Sequence, residues 1–145
     1  MASIDKHKNQ AEHNFKLANS LGDGEYRDWT ITTCFYSALH FTNLLFLSDP
    51  KIGHIDDLFT KLNYSTDTAD QVKQMSIHAF RESIIKRKLP SIRTQYRQLR
   101  EISEAARYLE SSSGMTGPEY IKPALAQHAL NDLLTIKTEV LKLLK

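Results

Sequence analysis

Tyr36 and His40, one helical turn apart, form the pair in this chain whose types and spacing best suit acid-base or ligand chemistry. At about 100° per residue, Trp29, Thr33, Tyr36, His40 and Asn43 fall in one narrow sector of a helix, while Ile31, Cys34, Phe35, Ala38, Phe41, Leu45 and Phe46 cover much of the rest. An imidazole and a phenol at i, i+4 can converge on one ligand, phosphate or attacking hydroxyl. The same ridge also reads as an internal hydrogen-bond network that fixes helix packing, because an unpaired buried polar group costs roughly 1–3 kcal/mol.

A second candidate is His54, in Gly53-His54-Ile55-Asp56-Asp57. It reaches His40 only if the loop after the central helix folds back. His54 with Asp56 and Asp57 lacks the further Cys or His spacing of a metal centre, so no metal is expected. The alternative role is a turn-stabilising histidine, with Asp56 or Asp57 opening the next short helix.

Arginines supply the third constellation. Arg93, Arg97, Arg100 and Arg107 fall within roughly 80° of one another on a helix, with Glu104 among them. Seven of the 19 Lys and Arg residues lie between Lys86 and Arg107, so the basic charge is local although the net charge is only +2. Such a stripe suits phosphates, since the guanidinium fork makes bidentate contacts. It is equally the composition of a solvated face carrying i, i+4 pairs such as Arg97 with Glu101 and Arg100 with Glu104. The chain has no phosphate-cradling Gly-rich loop, no Gly-x-Ser-x-Gly elbow, no Cys-x-x-Cys pair and no His-Glu-x-x-His, which disfavours the familiar hydrolase and nucleotide-fold chemistries. No cofactor is expected. Cys34, the single cysteine, sits on an apolar helix face and reads as a small core residue.

The elements that must position these groups are helices. A first runs from about Asp5, the expected N-cap, to Ser20, with Ala11, Phe15 and Ala18 facing a core and Gly22-Asp23-Gly24 as the stop. The central helix runs from about Glu25 to Leu47 and ends in Ser48-Asp49-Pro50; a short helix follows near Leu58 to Leu62, and Asn63 to Asp67 breaks the chain. A third long helix is predicted over about Thr68 to Lys88, with Val72, Met75, Ala79 and Phe80 on its buried side, stopped by Pro90. A fourth occupies about Ser91 to Glu110, with Ile92, Tyr96, Leu99, Ser103 and Ala106 as its core stripe. Ser111 to Pro118 is a loop within the domain, and a last helix starts near Pro118 or Pro123 and carries Leu130, Leu133, Leu134, Val140, Leu141 and Leu144 at i, i+3, i+4 spacing, the Lys137 stem filling the gap. The expected class is all-α, one domain over residues 1–145, an antiparallel up-and-down bundle of four to five helices. The longest apolar run, Leu44 to Leu47, is far short of the roughly 20 residues that span a bilayer, and the N-terminus lacks a secretory pattern, so a cytoplasmic protein without membrane contact is expected.

With the central helix and the arginine helix in place, the chain resembles the HEPN superfamily (higher eukaryotes and prokaryotes nucleotide-binding). The residues that carry the resemblance are Tyr26-Arg27-Asp28-Trp29, Phe35-Tyr36-Ser37-Ala38-Leu39-His40, the Gly53-His54 turn, Tyr96-Arg97-Gln98-Leu99 and Ser103-Glu104-Ala105-Ala106-Arg107-Tyr108. The resemblance implies a HEPN-like helical bundle of bacterial or archaeal type that forms homodimers, in proteins tied to RNA cleavage, toxin-antitoxin pairs and antiviral defence. Active relatives use an Arg, four to six intervening residues, then a His. No Arg of this chain is followed by a His at that distance; His78 precedes Arg81 in reversed order.

The leading expectation is therefore a dimeric, non-catalytic regulatory module that binds RNA, a nucleotide or a cognate defence or antitoxin protein, with Tyr36, His40, Arg93, Arg97, Arg100, Arg107 and Tyr108 as the binding candidates. One alternative is a metal-independent ribonuclease with a non-standard site, in which His40 or His54 moves protons and Arg107 stabilises the phosphorane charge. Another is a structural oligomerisation subunit whose polar ridge is internal.

Overall fold

A computed structural model describes residues 3–63, 75–108 and 121–145, with Tyr108 described by its backbone alone. The described residues are all-helical: α1 (Ile4–Leu21), α2 (Arg27–Leu47), α3 (Ile55–Asn63), α4 (Ile77–Lys88), a 3-10 turn (Pro90–Ile92), α5 (Arg93–Tyr108) and α6 (Pro123–Leu143). Among them no helix is long and apolar enough to cross a membrane.

The central helix is α2, which packs against α1, α5 and α6. Its Ile31, Phe35, Phe41, Leu44 and Phe46 are buried together with Ile84, Ile92, Tyr96, Leu99, Leu133 and Ile136 in one core. Two polar clasps hold α1 against α2. The Ser37 hydroxyl donates to Ala11 O at 2.8 Å, and Thr30 donates to Gly22 O at 2.6 Å. The second clasp uses the end of α1, where Gly22 takes φ 61°, a left-handed conformation that glycine adopts without a Cβ penalty. The pairings His7 with His40, Ala11 with Ser37 and Gly22 with Thr30 make α1 and α2 antiparallel. Glu12 meets Lys137 and Asp23 meets Gln127, so α6 is antiparallel to α1 and consequently parallel to α2.

Four boundaries differ from the sequence expectation. Ser3, not Asp5, caps α1, its hydroxyl accepting from Lys6 N; Asp5 instead lies in the first turn, where a carboxylate favours the helix dipole. The helix expected over 68–88 begins only at Ile77, because Ser76 is extended and caps it through Ala79 N; Val72 lies outside the described residues. The short helix is longer than expected, starting at Ile55. Pro90 does not simply stop α4 but opens the 3-10 turn that leads into α5. The α5 stripe is as periodicity requires, with Ile92, Tyr96, Leu99, Ser103 and Ala106 all buried. On α6, Pro123 takes the first turn, Leu133 and Val140 are buried, and Leu134 is exposed. The Lys137 ammonium lies 3.9 Å from the Phe15 ring centroid, its stem covering the gap in the stripe. The expected loop at 111–118 lies outside the described residues.

Candidate functional site

The ridge of α2 splits in two along its length. Toward its N-terminal half, Tyr26, Trp29 and Tyr36 are exposed, Trp29 by 60%. Thr33 turns its hydroxyl back onto Trp29 O and Thr30 O. Toward the C-terminal half, His40 is half-buried and Asn43 is buried, and both meet a residue from α1 that the ridge alone does not announce.

That residue is His7. Its Nδ1 lies 2.9 Å from His40 Nδ1 and 3.4 Å from Asn43 Nδ2, and Arg81 Nη2 donates to Asn43 Oδ1 at 2.8 Å. The guanidinium fixes the Asn43 amide with its oxygen toward Arg81 and its nitrogen toward His7. Asn43 Nδ2 is then a donor, so His7 Nδ1 is the acceptor, and the His40 proton sits on Nδ1. His7 must carry its own proton on Nε2. Two imidazolium rings would set donor against donor, so the arrangement favours neutral histidines. Burial pushes the His40 pKa down to about 4, and the charges of His7 and Arg81 act in the same direction. Burial also lowers His7, with His54 and Arg81 adding to it and Asp56 opposing.

Arg81 is the unusual group. It is 4% exposed, lies on the inward face of α4 with Ile84 and Ile85, and packs its guanidinium carbon 5.6 Å from the Phe46 ring centroid. Among the described residues no carboxylate lies within ion-pairing distance of it, and its Nη1 has no hydrogen-bond partner. The Tyr96 hydroxyl, fully buried, is the polar group that faces Arg81 on that side, close enough to feel its charge and a long hydrogen bond from it. A buried charge ordinarily demands a partner. Arg81 lines a small cleft of about 50 Å³ together with His7, Asn43, Gly53, His54 and Asp56.

The loop after α2 does fold back. Gly53 takes φ 62°, and the backbone N–H groups of Ile52 and Gly53 both donate to Asp49 O at 2.9 Å. The Asp49 carboxylate accepts from Lys51 N and pairs with Lys88 at the end of α4, which ties the turn to that helix. His54 is thereby carried to the cleft beside His7. Asp56 stands exposed in the first turn of α3, and the described residues hold no group of three His, Cys, Asp or Glu arranged for a metal ion.

The arginine stripe is partly consumed by internal pairing. Arg100 is bound by Glu82 from α4 at 2.6 Å and by Glu104 at 3.4 Å. Arg97 pairs with Glu101 at 3.2 Å on the surface, and Arg93 is exposed. Arg107 lies over the rings of Tyr36 and Phe35, 5.4 and 5.6 Å from their centroids, and its Nη1 donates to Tyr36 Oη at 3.0 Å. Two candidates, Tyr36 and Arg107, thus form one unit, separate from His40. The side chain of Tyr108 lies outside the described residues. Cys34 is fully buried, and burial, aided by the Asp132 carboxylate, pushes its thiol up to about 12, which leaves it protonated and unreactive.

His7 and Arg81 were missed as site residues, and both left a signal. His7 shares the α1 sector of Ala11 and Ala18, and Arg81 shares that of Ile84 and Ile85, so each is a polar residue placed on an apolar face. The assembled group offers one permanent cation, imidazole and amide donors and a depressed His40. A histidine with a pKa near 4 is a poor proton donor at neutral pH, where general acid-base catalysis works best with a matched pKa. The chemistry that fits is the holding of a negative group. Comparison with family models, with curated proteins and with solved structures finds no match to this chain.

Proposed function

We propose that the protein is a HEPN-like, dimeric regulatory module that binds single-stranded RNA and does not cleave it. The observation that carries this reading is the row of exposed aromatics on a helix otherwise buried: Tyr26, Trp29 and Tyr36 stand on one face of α2, with the Arg107 guanidinium stacked on the last ring. Aromatic faces beside cations are what unpaired bases stack upon, each base contributing about 1–3 kcal/mol. Arg93 and Arg97 on α5 supply further surface charge for the phosphate backbone. A place in a defence or toxin-antitoxin system rests on the family resemblance alone.

A ribonuclease is the second reading, favoured by the meeting of His7, His40, His54 and Arg81 around one cleft. The depressed His40 pKa and the missing Arg-to-His spacing weigh against it.

Trp29 is the only tryptophan, so its fluorescence reports directly on the face in question. Titration with a single-stranded RNA oligonucleotide is expected to quench it. Tyr36→Ala, read by the same fluorescence, and Trp29→Ala, read by anisotropy of labelled RNA, are each expected to weaken binding about 5- to 100-fold. The RNA should stay intact on a denaturing gel, and light scattering should give twice the monomer mass. Unchanged affinity in both variants would remove the proposed face, and cleavage abolished in a folded His40→Asn variant would establish the ribonuclease.

A further inference from the structure

The geometry points to a binding site for one tetrahedral oxyanion, inorganic phosphate or the terminal phosphate of a larger molecule, in the cleft where Arg81 of α4, His7 of α1 and His54 of the Gly53 turn come together. This site is separate from the aromatic face of α2 and does not depend on RNA binding there.

Three observations carry it. The first is the state of Arg81, which is 96% buried, unpaired with any carboxylate among the described residues, and part of the wall of the cleft. Folding such a group without a counter-charge is costly, and an anion in the cleft would remove that cost. The second is the donor set. The His7 Nε2–H follows from the tautomer that Asn43 and His40 impose, and His54 lies on the same wall. Arg81 is itself held in place by Asn43 Oδ1, which fixes its charge at the wall of the cleft. The third is size. About 50 Å³ is several times the roughly 10–15 Å³ that one water needs, and far below the roughly 300–1,000 Å³ of pockets that take drug-sized ligands. An oxyanion fits; a base or a nucleoside does not.

Asp56 lines the same cleft and opposes an anion. Its carboxylate is exposed on the rim, where solvent screens it, whereas Arg81 is enclosed. A cation is disfavoured by the permanent charge of Arg81. The charged and titratable groups around the cleft are His7, His40, His54, Asp56, His78, Arg81 and Tyr96. Of these, His7 is held neutral by burial and by neighbouring positive charge, so a bound dianion would draw a proton onto it.

The test is calorimetric titration of the full chain with inorganic phosphate, with sulfate, with adenosine monophosphate and with adenosine. Phosphate and the monophosphate are expected to bind one per chain and to compete, and adenosine is expected not to bind. A monophosphate at least tenfold tighter than phosphate identifies a nucleotide as the source of the group, and equal affinities identify a free oxyanion. Sulfate, whose charge is constant across the range, should bind more tightly as pH falls from 7.5 to 6. Asp56→Asn, at an exposed position, should tighten sulfate binding about two- to fivefold, and His54→Gln should weaken it by a similar factor. Arg81→Gln should abolish it. Trp29→Ala should leave it unchanged, which separates this site from the RNA face. Absence of phosphate and sulfate binding at millimolar concentration, or identical affinities in wild type, Asp56→Asn and His54→Gln, would overturn the assignment without reference to whether Arg81→Gln folds.

Discussion

His40→Asn should lower stability at neutral pH and flatten its dependence on pH by a similar amount. The His40 pKa falls from 6.5 to about 4 on folding, because burial and the neighbouring His7 and Arg81 charges disfavour its protonated form. The unfolded chain therefore takes up this proton first as pH drops. Stability is fully present above about 6.5 and is lost progressively between that pH and 4. At pH 5 the two values give a loss of about 2 kcal/mol as an upper bound. Because the ring is only half-buried, solvent screening reduces this to about 1 kcal/mol. For a domain of this size that corresponds to a fall in Tm of roughly 3–4 °C. The asparagine amide can donate near the place of the imidazole Nδ1–H, so much of the contact to His7 survives while the titration is removed. Thermal unfolding of both proteins at pH 7.5, 6.5, 5.5 and 5.0 isolates the effect as the difference between the two curves, since His7 and His78, also lowered by burial, titrate in both. The variant is expected to be less stable by about 1 kcal/mol at pH 7.5 and to converge on wild type by pH 5. Parallel curves over the whole range would refute the buried, neutral His7–His40 pair.

Two further outcomes follow from the packing. Arg97→Gln should leave stability within about 0.5 kcal/mol, because its pair with Glu101 is exposed, whereas Arg100→Gln should cost about 1–3 kcal/mol by stranding Glu82 of α4 against α5; equal urea midpoints for the two variants would contradict that division. Ser37→Ala should destabilise by about 1–2 kcal/mol and loosen α1, since Ala11 O would lose its only hydrogen bond from α2, and hydrogen exchange over α1 that matches wild type would show that the clasp contributes little.

Much of the architecture was legible because helical periodicity is local. Ile92, Tyr96, Leu99, Ser103 and Ala106 repeat on one side of α5 and are buried there; the apolar circumference of Ile31 to Phe46 required a central helix, and α2 is one. Of the two prolines that could open the last helix, Pro118 and Pro123, it is Pro123 that opens α6. The exposed ladder was legible only as a sector, since periodicity says which residues share a face and not what covers it. The same sector holds Trp29 in solvent and Asn43 in the interior because α1 runs antiparallel to α2 and brings His7 over the C-terminal half alone.

Tertiary structure alone decided the rest, through contacts between residues far apart in the chain. His7 meets His40 across 33 positions, and Arg81 meets Asn43 across 38. The arginine stripe lost Arg100 to Glu82, 18 residues upstream, and the i, i+4 pattern of α5 itself gives no hint of that carboxylate. Likewise, whether His54 reached the helices depended on the Gly53 turn and the Asp49–Lys88 tie, which join segments nearly forty residues apart. Composition and spacing determined which side chains could do chemistry. Helix packing determined that Arg81 would be buried beside two histidines with no carboxylate in ion-pairing distance among the described residues, because a charge loses its solvent only when another helix closes over it.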